Sequence, residues 1–211
     1  MDILIKTCGL RDPQNIRAIA QLEPDFMGFI FYPASKRKAD PAKLVSVLKE
    51  LPDDIQKVGV FVNESEDNIL LITRLLDLDV IQLHGDEDPD VGNALRNNGL
   101  EVWKAFGISD HPDWQKMENW LESCDHFLFD TANSGYGGSG KEFQHSVLSR
   151  YPFEKSFWLS GGIGPDFLSL PEVFDGLPIL GLDINSRFES APGIKKVEEV
   201  KQFLNHWRFD I

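Results

Sequence analysis

Cysteine is scarce in this chain. Only Cys8 and Cys124 occur, and neither sits in a Cys-x-x-Cys pair or a Cys/His cluster of zinc spacing. A disulfide framework and a structural zinc are therefore not expected, and no metal is assigned. Positive charge is short as well: 21 Lys and Arg stand against 34 Asp and Glu, a formal net charge of −13. That field repels polyanions, so nucleic acid is not an expected partner. Any phosphate must be held locally, by backbone N–H groups or a helix N-terminus. No apolar run approaches the roughly 18 residues of a membrane span, and Met1 to Lys6 lacks a basic region ahead of a long apolar stretch. A soluble cytoplasmic protein with no membrane contact is the expectation, with monomer and homodimer both open. Also missing is a Gly-x-Gly-x-x-Gly after the first strand candidate, where a dinucleotide fold needs it. No Pro/Gly/Ser-rich linker divides the chain, so residues 1–211 read as one domain.

What is present is alternation. Short β-rich apolar segments recur about every 26 residues, each followed by helical composition. They are Ile3 to Thr7, Met27 to Phe31, Lys57 to Val62, Val80 to His84, Glu101 to Ala105, His126 to Asp130, Phe157 to Ser160 and Ile179 to Asp183. Asp12-Pro13, Asp40-Pro41, Ser65 with Asn68, Asp88-Pro89, His111-Pro112 and Gly164-Pro165 mark helix starts, and Gly193 leads into a terminal helix. Eight strand-helix units predict an α/β fold, a parallel (β/α)8 TIM barrel.

Reacting groups of such a barrel sit at the C-terminal ends of its strands. Cys8 ends strand one and shares a face with Lys6, so it is either a base or nucleophile helped by an ammonium, or a buried inert thiol. Asp130 follows Phe127-Leu128-Phe129 and is either a proton donor of raised pKa or a loop cap. Ser160-Gly161-Gly162-Ile163 and Asn185-Ser186 fall where barrels bind phosphate. Arg37 pairs with a substrate carboxylate or forms a solvated basic face with Lys36 and Lys38. His84 either lines the site or is structural. The stretch Gly135 to Gly140 reads as an active-site cover carrying Gly138. Trp103 and Trp158 read as core aromatics, and Cys124 as a buried thiol.

Taken in order, Lys6-Thr7-Cys8-Gly9-Leu10, Gly28 to Pro33 with Ser35-Lys36-Arg37, Val58 to Asn63 and Gln82-Leu83-His84-Gly85 resemble the phosphoribosylanthranilate isomerases. The match continues through Asp130-Thr131, Tyr136 to Lys141, Leu159 to Ile163, and Leu182 to Ser186 with Pro192-Gly193. The resemblance implies a cofactor-free Amadori rearrangement of a phosphorylated small molecule in tryptophan biosynthesis. It implies Asp130 as general acid, Cys8 as general base and Arg37 as holder of the anthranilate carboxylate. Gly161, Gly162, Asn185 and Ser186 would hold the phosphate, with His84, Gly138 and Asp183 also at the substrate. One departure stands out: Arg187 occupies a position where many relatives have glycine, which puts the local backbone in question or adds a phosphate contact. An indole-glycerol-phosphate synthase type of barrel would need a lysine acid, for which Lys104 is the obvious candidate, and an N-terminal extension. A non-catalytic phospho-ligand barrel would leave Cys8 and Asp130 structural.

Overall fold

A computed structural model of the protein describes residues 3–131 and 145–209. Eight parallel strands close in chain order: β1 (Leu4–Thr7), β2 (Phe26–Ile30), β3 (Gln56–Phe61), β4 (Val80–Leu83), β5 (Glu101–Ile108), β6 (His126–Thr131), β7 (Phe157–Leu159) and β8 (Ile179–Ile184). The seam is the β1/β8 pairing, in register from Leu4 opposite Gly181 to Thr7 opposite Ile184. All eight predicted strands are present, with ends moved by a few residues.

Strand alternation sorts the apolar residues into two layers. Ile5, Met27, Phe29, Ile81, Phe127 and Leu159 face outward into the sheet–helix core. Phe26, Val58, Val80, Trp103, Leu128 and Trp158 fill the barrel interior. The rings of Phe26, Trp103 and Trp158 lie 4.7 to 5.1 Å apart and plug its N-terminal half, the core role predicted for both tryptophans. The C-terminal half stays open for polar groups.

Helices α1 (Pro13–Ala20), α2 (Pro41–Leu48), α3 (Glu66–Leu76) and α4 (Pro89–Asn97) start where the sequence signals them. The side chains of Asp12, Asp40, Ser65 and Asp88 each accept a first-turn N–H, and proline fits N1 because that N–H has no intrahelical partner. Later units depart from the prediction. Helix α5 (Trp114–Glu118) begins after an Asp113 cap, two residues beyond the expected His111-Pro112 start. Gly164-Pro165 opens a turn, because Pro171 follows too soon for a helix to form between them. The described residues carry only 3₁₀ turns after β6 and β7, at His145–Arg150 and Glu172–Phe174. Beyond β8, a 3₁₀ turn at Ser186–Phe188 leads into a hairpin, β9 (Glu189–Ala191) and β10 (Ile194–Lys195), which the sequence reading did not anticipate. The terminal helix α6 (Val197–Phe209) then buries Val200, Phe203, Leu204 and Trp207. Among the described residues no helix is long and apolar enough to cross a membrane.

Candidate active site

The C-terminal ends of the strands surround a cavity that opens to solvent. Cys8, His84, Asp130, Gly161, Gly162, Asp183, Asn185 and Ser186 all line it, although they come from the ends of five strands and the turns that follow. Arg37 stands beside it without forming its wall. Gly138 and the Gly135 to Gly140 stretch lie outside the described residues.

On β1, Lys6 and Cys8 do share an inward face. The Lys6 ammonium is fully buried and donates to Asp183 Oδ1 at 2.9 Å and to Gln82 Oε1 at 2.8 Å. Burial opposes its charge, but Asp183 and then Cys8 outweigh burial and raise its pKa. Cys8 is 3% exposed, and of the two readings the sequence left open its surroundings in the folded chain favour the buried thiol. Burial pushes its pKa up and wins over the nearby Lys6, which favours the neutral thiol. Gly28 makes room for the pair: a Cβ there would lie 2.7 Å from Cys8 Sγ and 3.1 Å from Lys6 Cε. The other cysteine, Cys124, is buried, gives its S–H to Trp120 O and is pushed up to about 12 by burial.

The polar chain continues across the mouth. An ammonium can only donate, so Gln82 presents its oxygen to Lys6 and its Nε2 to His84 Nδ1, 2.8 Å away. Burial, reinforced by the cations Lys6 and Lys104, lowers the His84 pKa from 6.5 to about 4. Neutral His84 therefore accepts at Nδ1 and carries its proton on Nε2, which faces Asp130 Oδ2 at 3.7 Å. Folding excludes a proton that the unfolded histidine binds below pH 6.5. Stability linked to His84 is thus full above pH 6.5 and is lost as pH falls toward 4. Thermal unfolding of wild type and His84→Gln across that window should show the steeper acid loss in wild type; parallel curves would contradict the assignment.

The turn carrying His84 is clamped from outside the barrel. Glu87 accepts from the N–H groups of Asn63 and Gly85 and pairs with Lys104 at 2.6 Å, while Lys104 also donates to Gly85 O at 2.7 Å. Lys104 is consumed in this clamp and does not line the cavity, so the lysine that the rival synthase-type reading needs is not at the site.

The two candidate anion turns meet at the same cavity. Gly161 and Gly162 both adopt left-handed φ values, 80° and 76°, which a residue with a Cβ reaches only with strain. Arg187 lies in the 3₁₀ turn and has no positive φ, so the backbone here does not demand a glycine. Its guanidinium reaches Asp166 at 3.0 Å and so ties the β8 turn to the β7 turn. Arg37 gives Nε and Nη2 to both oxygens of Glu189 at 2.7 to 3.0 Å. Lys195, fully buried, donates to Glu189 Oε1, Asn185 Oδ1 and Asn185 O at 2.8, 2.8 and 3.1 Å. Glu189, Lys195 and Gln82 are functional candidates that the sequence reading did not select. The inward alternation of Gln82 with His84 on β4 was the available signal for Gln82. Nothing local marks Lys195 as buried.

The family model for N-(5'-phosphoribosyl)anthranilate (PRA) isomerase matches residues 5–206. The chain is 47% identical over 204 residues to the N-(5'-phosphoribosyl)anthranilate isomerase of Phocaeicola vulgatus, covering 96% of this chain and 97% of that protein. It is 40% identical to that of Parabacteroides distasonis, covering 96% and 92%. The crystal structure of phosphoribosyl anthranilate isomerase from Thermotoga maritima superposes with a TM-score of 0.86 at 31% identity, covering 98% of each chain. A further isomerase structure, holding reduced 1-(o-carboxyphenylamino)-1-deoxyribulose 5-phosphate, superposes with a TM-score of 0.83 at 29% identity, again covering 98% of each.

Proposed function

We infer the chemistry from one premise: the chain belongs to the N-(5'-phosphoribosyl)anthranilate isomerase family. It is an isomerase of tryptophan biosynthesis on a (β/α)8 barrel. The finer reading is a division of labour between two side chains. Cys8 and Asp130, from β1 and β6, line one cavity together with the turns after β7 and β8, and that shared wall carries the reading.

Asp130 in its protonated form gives its proton to the furanose ring oxygen. The C1–O bond breaks, the amine nitrogen supplies the pair for C=N, and the ring opens to a protonated Schiff base. Cys8 as thiolate then removes the C2 proton, and the C2 electrons form the enolamine and neutralise the iminium. Net transfer of a proton from the C2 hydroxyl to C1 gives the ketone. Burial favours the Cys8 thiol, while Lys6 and the iminium formed by ring opening both favour the thiolate, and the thiol proton leaves to solvent through the open mouth of the cavity as the thiolate forms. After donating its proton, Asp130 faces the Nε2–H of neutral His84.

Arg37 holds the anthranilate carboxylate. Gly161, Gly162, Asn185 and Ser186 hold the phosphate with backbone groups, as a protein of net charge −13 requires. Asp183 fixes Lys6, the chemistry calls for no cofactor, and a cytoplasmic location suits a biosynthetic enzyme. The test is conversion of freshly generated N-(5-phosphoribosyl)anthranilate, followed as loss of anthranilate-type fluorescence. Catalysed loss supports the assignment; a rate equal to the buffer alone would overturn it in favour of a binding role.

A further inference from the structure

We propose that Glu189 and Lys195 are positioning residues for substrate recognition, built to present the free edge of Arg37 to the ring carboxylate. The proposal rests on the reading of Arg37 given above. The observation behind it is the set of partners these three side chains choose.

Arg37 leaves β2 behind and lies between two cavity residues. Its backbone N–H meets Ser35 Oγ at 3.1 Å, and a Cβ on Gly9 would lie 2.8 Å from Arg37 Cδ and 2.7 Å from Asn185 Oδ1. A guanidinium has two edges that can each grip a carboxylate in parallel fashion. Glu189 occupies the Nε/Nη2 edge with both of its oxygens. Among the described residues nothing takes up Nη1, so the second edge is open to a ligand carboxylate.

Glu189 is itself held. The N–H of Gly193 reaches its Oε1 at 3.1 Å and the Lys195 ammonium reaches the same oxygen at 2.8 Å. Burial disfavours the Glu189 charge, but Arg37 and then Lys195 outweigh it and lower its pKa. Lys195 spends its other contacts on the side chain and carbonyl of Asn185, and its backbone is pinned by both amide atoms of Asn15 at 2.7 and 2.9 Å. One buried ammonium thus joins the arm that meets the carboxylate to the turn that meets the phosphate.

The test uses the full chain and two ligands, reduced 1-(o-carboxyphenylamino)-1-deoxyribulose 5-phosphate and its counterpart lacking the ring carboxylate. Calorimetry gives the ratio of their dissociation constants in wild type, Glu189→Gln, Lys195→Met and Arg37→Ala. Wild type is expected to prefer the carboxylated ligand by about tenfold or more, and Glu189→Gln and Lys195→Met to remove most of that preference. Affinity for the ligand without the carboxylate should stay within about threefold in Glu189→Gln, and Glu189→Gln should add nothing in the Arg37→Ala background. Equal weakening of both ligands, or an unchanged ratio in folded Glu189→Gln, would overturn the proposal. The isosteric Glu189→Gln decides alone if Lys195→Met does not fold. A wild-type preference that survives Arg37→Ala would instead overturn the reading of Arg37, and this proposal with it.

Discussion

Replacing Cys8 with alanine is expected to lower kcat by about 10²–10⁴-fold while affinity for the reduced product analogue stays within a few-fold. The smaller side chain fits without displacing its neighbours, because Sγ is the atom that presses toward Gly28 and alanine only removes it. Lys6 keeps its bonds to Asp183 and Gln82, so the surrounding network survives. What is lost is a group that can take the C2 proton. Serine should not restore it, since Lys6 cannot bring a hydroxyl of much higher pKa to the alkoxide. Single-turnover fluorescence with a parallel binding measurement checks this. A parallel loss of binding would mean that the thiol shapes the site, and an unchanged rate would place the base elsewhere.

Lys6→Met should have the largest effect on stability, a loss of about 3–5 kcal/mol. Its ammonium is wholly buried, and removing it leaves Asp183, 5% exposed, charged and without its counter-ion. The Ser160 hydroxyl, 3.3 Å from Asp183 Oδ2, is too weak a donor to compensate. Gln82 Oε1 loses its donor as well, which frees the amide to rotate and unsettles the His84 tautomer. Chemical denaturation measures the loss, and a Lys6→Met, Asp183→Leu double variant should recover much of it because the stranded charge is gone. A loss below about 1 kcal/mol in the single variant would mean that the pair is effectively solvated.

The sequence was most legible where a signal is local. Asp-Pro steps cap α1, α2 and α4 because cap and first turn are adjacent in the chain, and the apolar segments became strands for the same reason. Gly164-Pro165 carries an equivalent local signal and fails, because Pro171 ends any helix before it can pack. The pairing of Lys6 with Cys8 was readable from alternation. The outcome for the thiol was not, because depth of burial depends on the whole barrel. Lys195 shows the limit most clearly: its partners Asn15, Asn185 and Glu189 come together only when the hairpin after β8 folds back onto α1. For Arg187 the sequence leaves a backbone problem and an added phosphate contact both open; in the fold the turn is 3₁₀, which removes the backbone problem, and the guanidinium lies beside Asp166.

In the proposed mechanism acid and base face one cavity and act on the same substrate. Cys8 alone cannot establish that, so the deciding measurement is single-turnover conversion of freshly generated N-(5-phosphoribosyl)anthranilate by Asp130→Asn. The amide keeps the shape of the carboxyl group and has no acidic proton to give. Conversion is expected to slow by at least about 10²-fold, with affinity for the reduced product analogue within a few-fold of wild type. Conversion at the wild-type rate would contradict it.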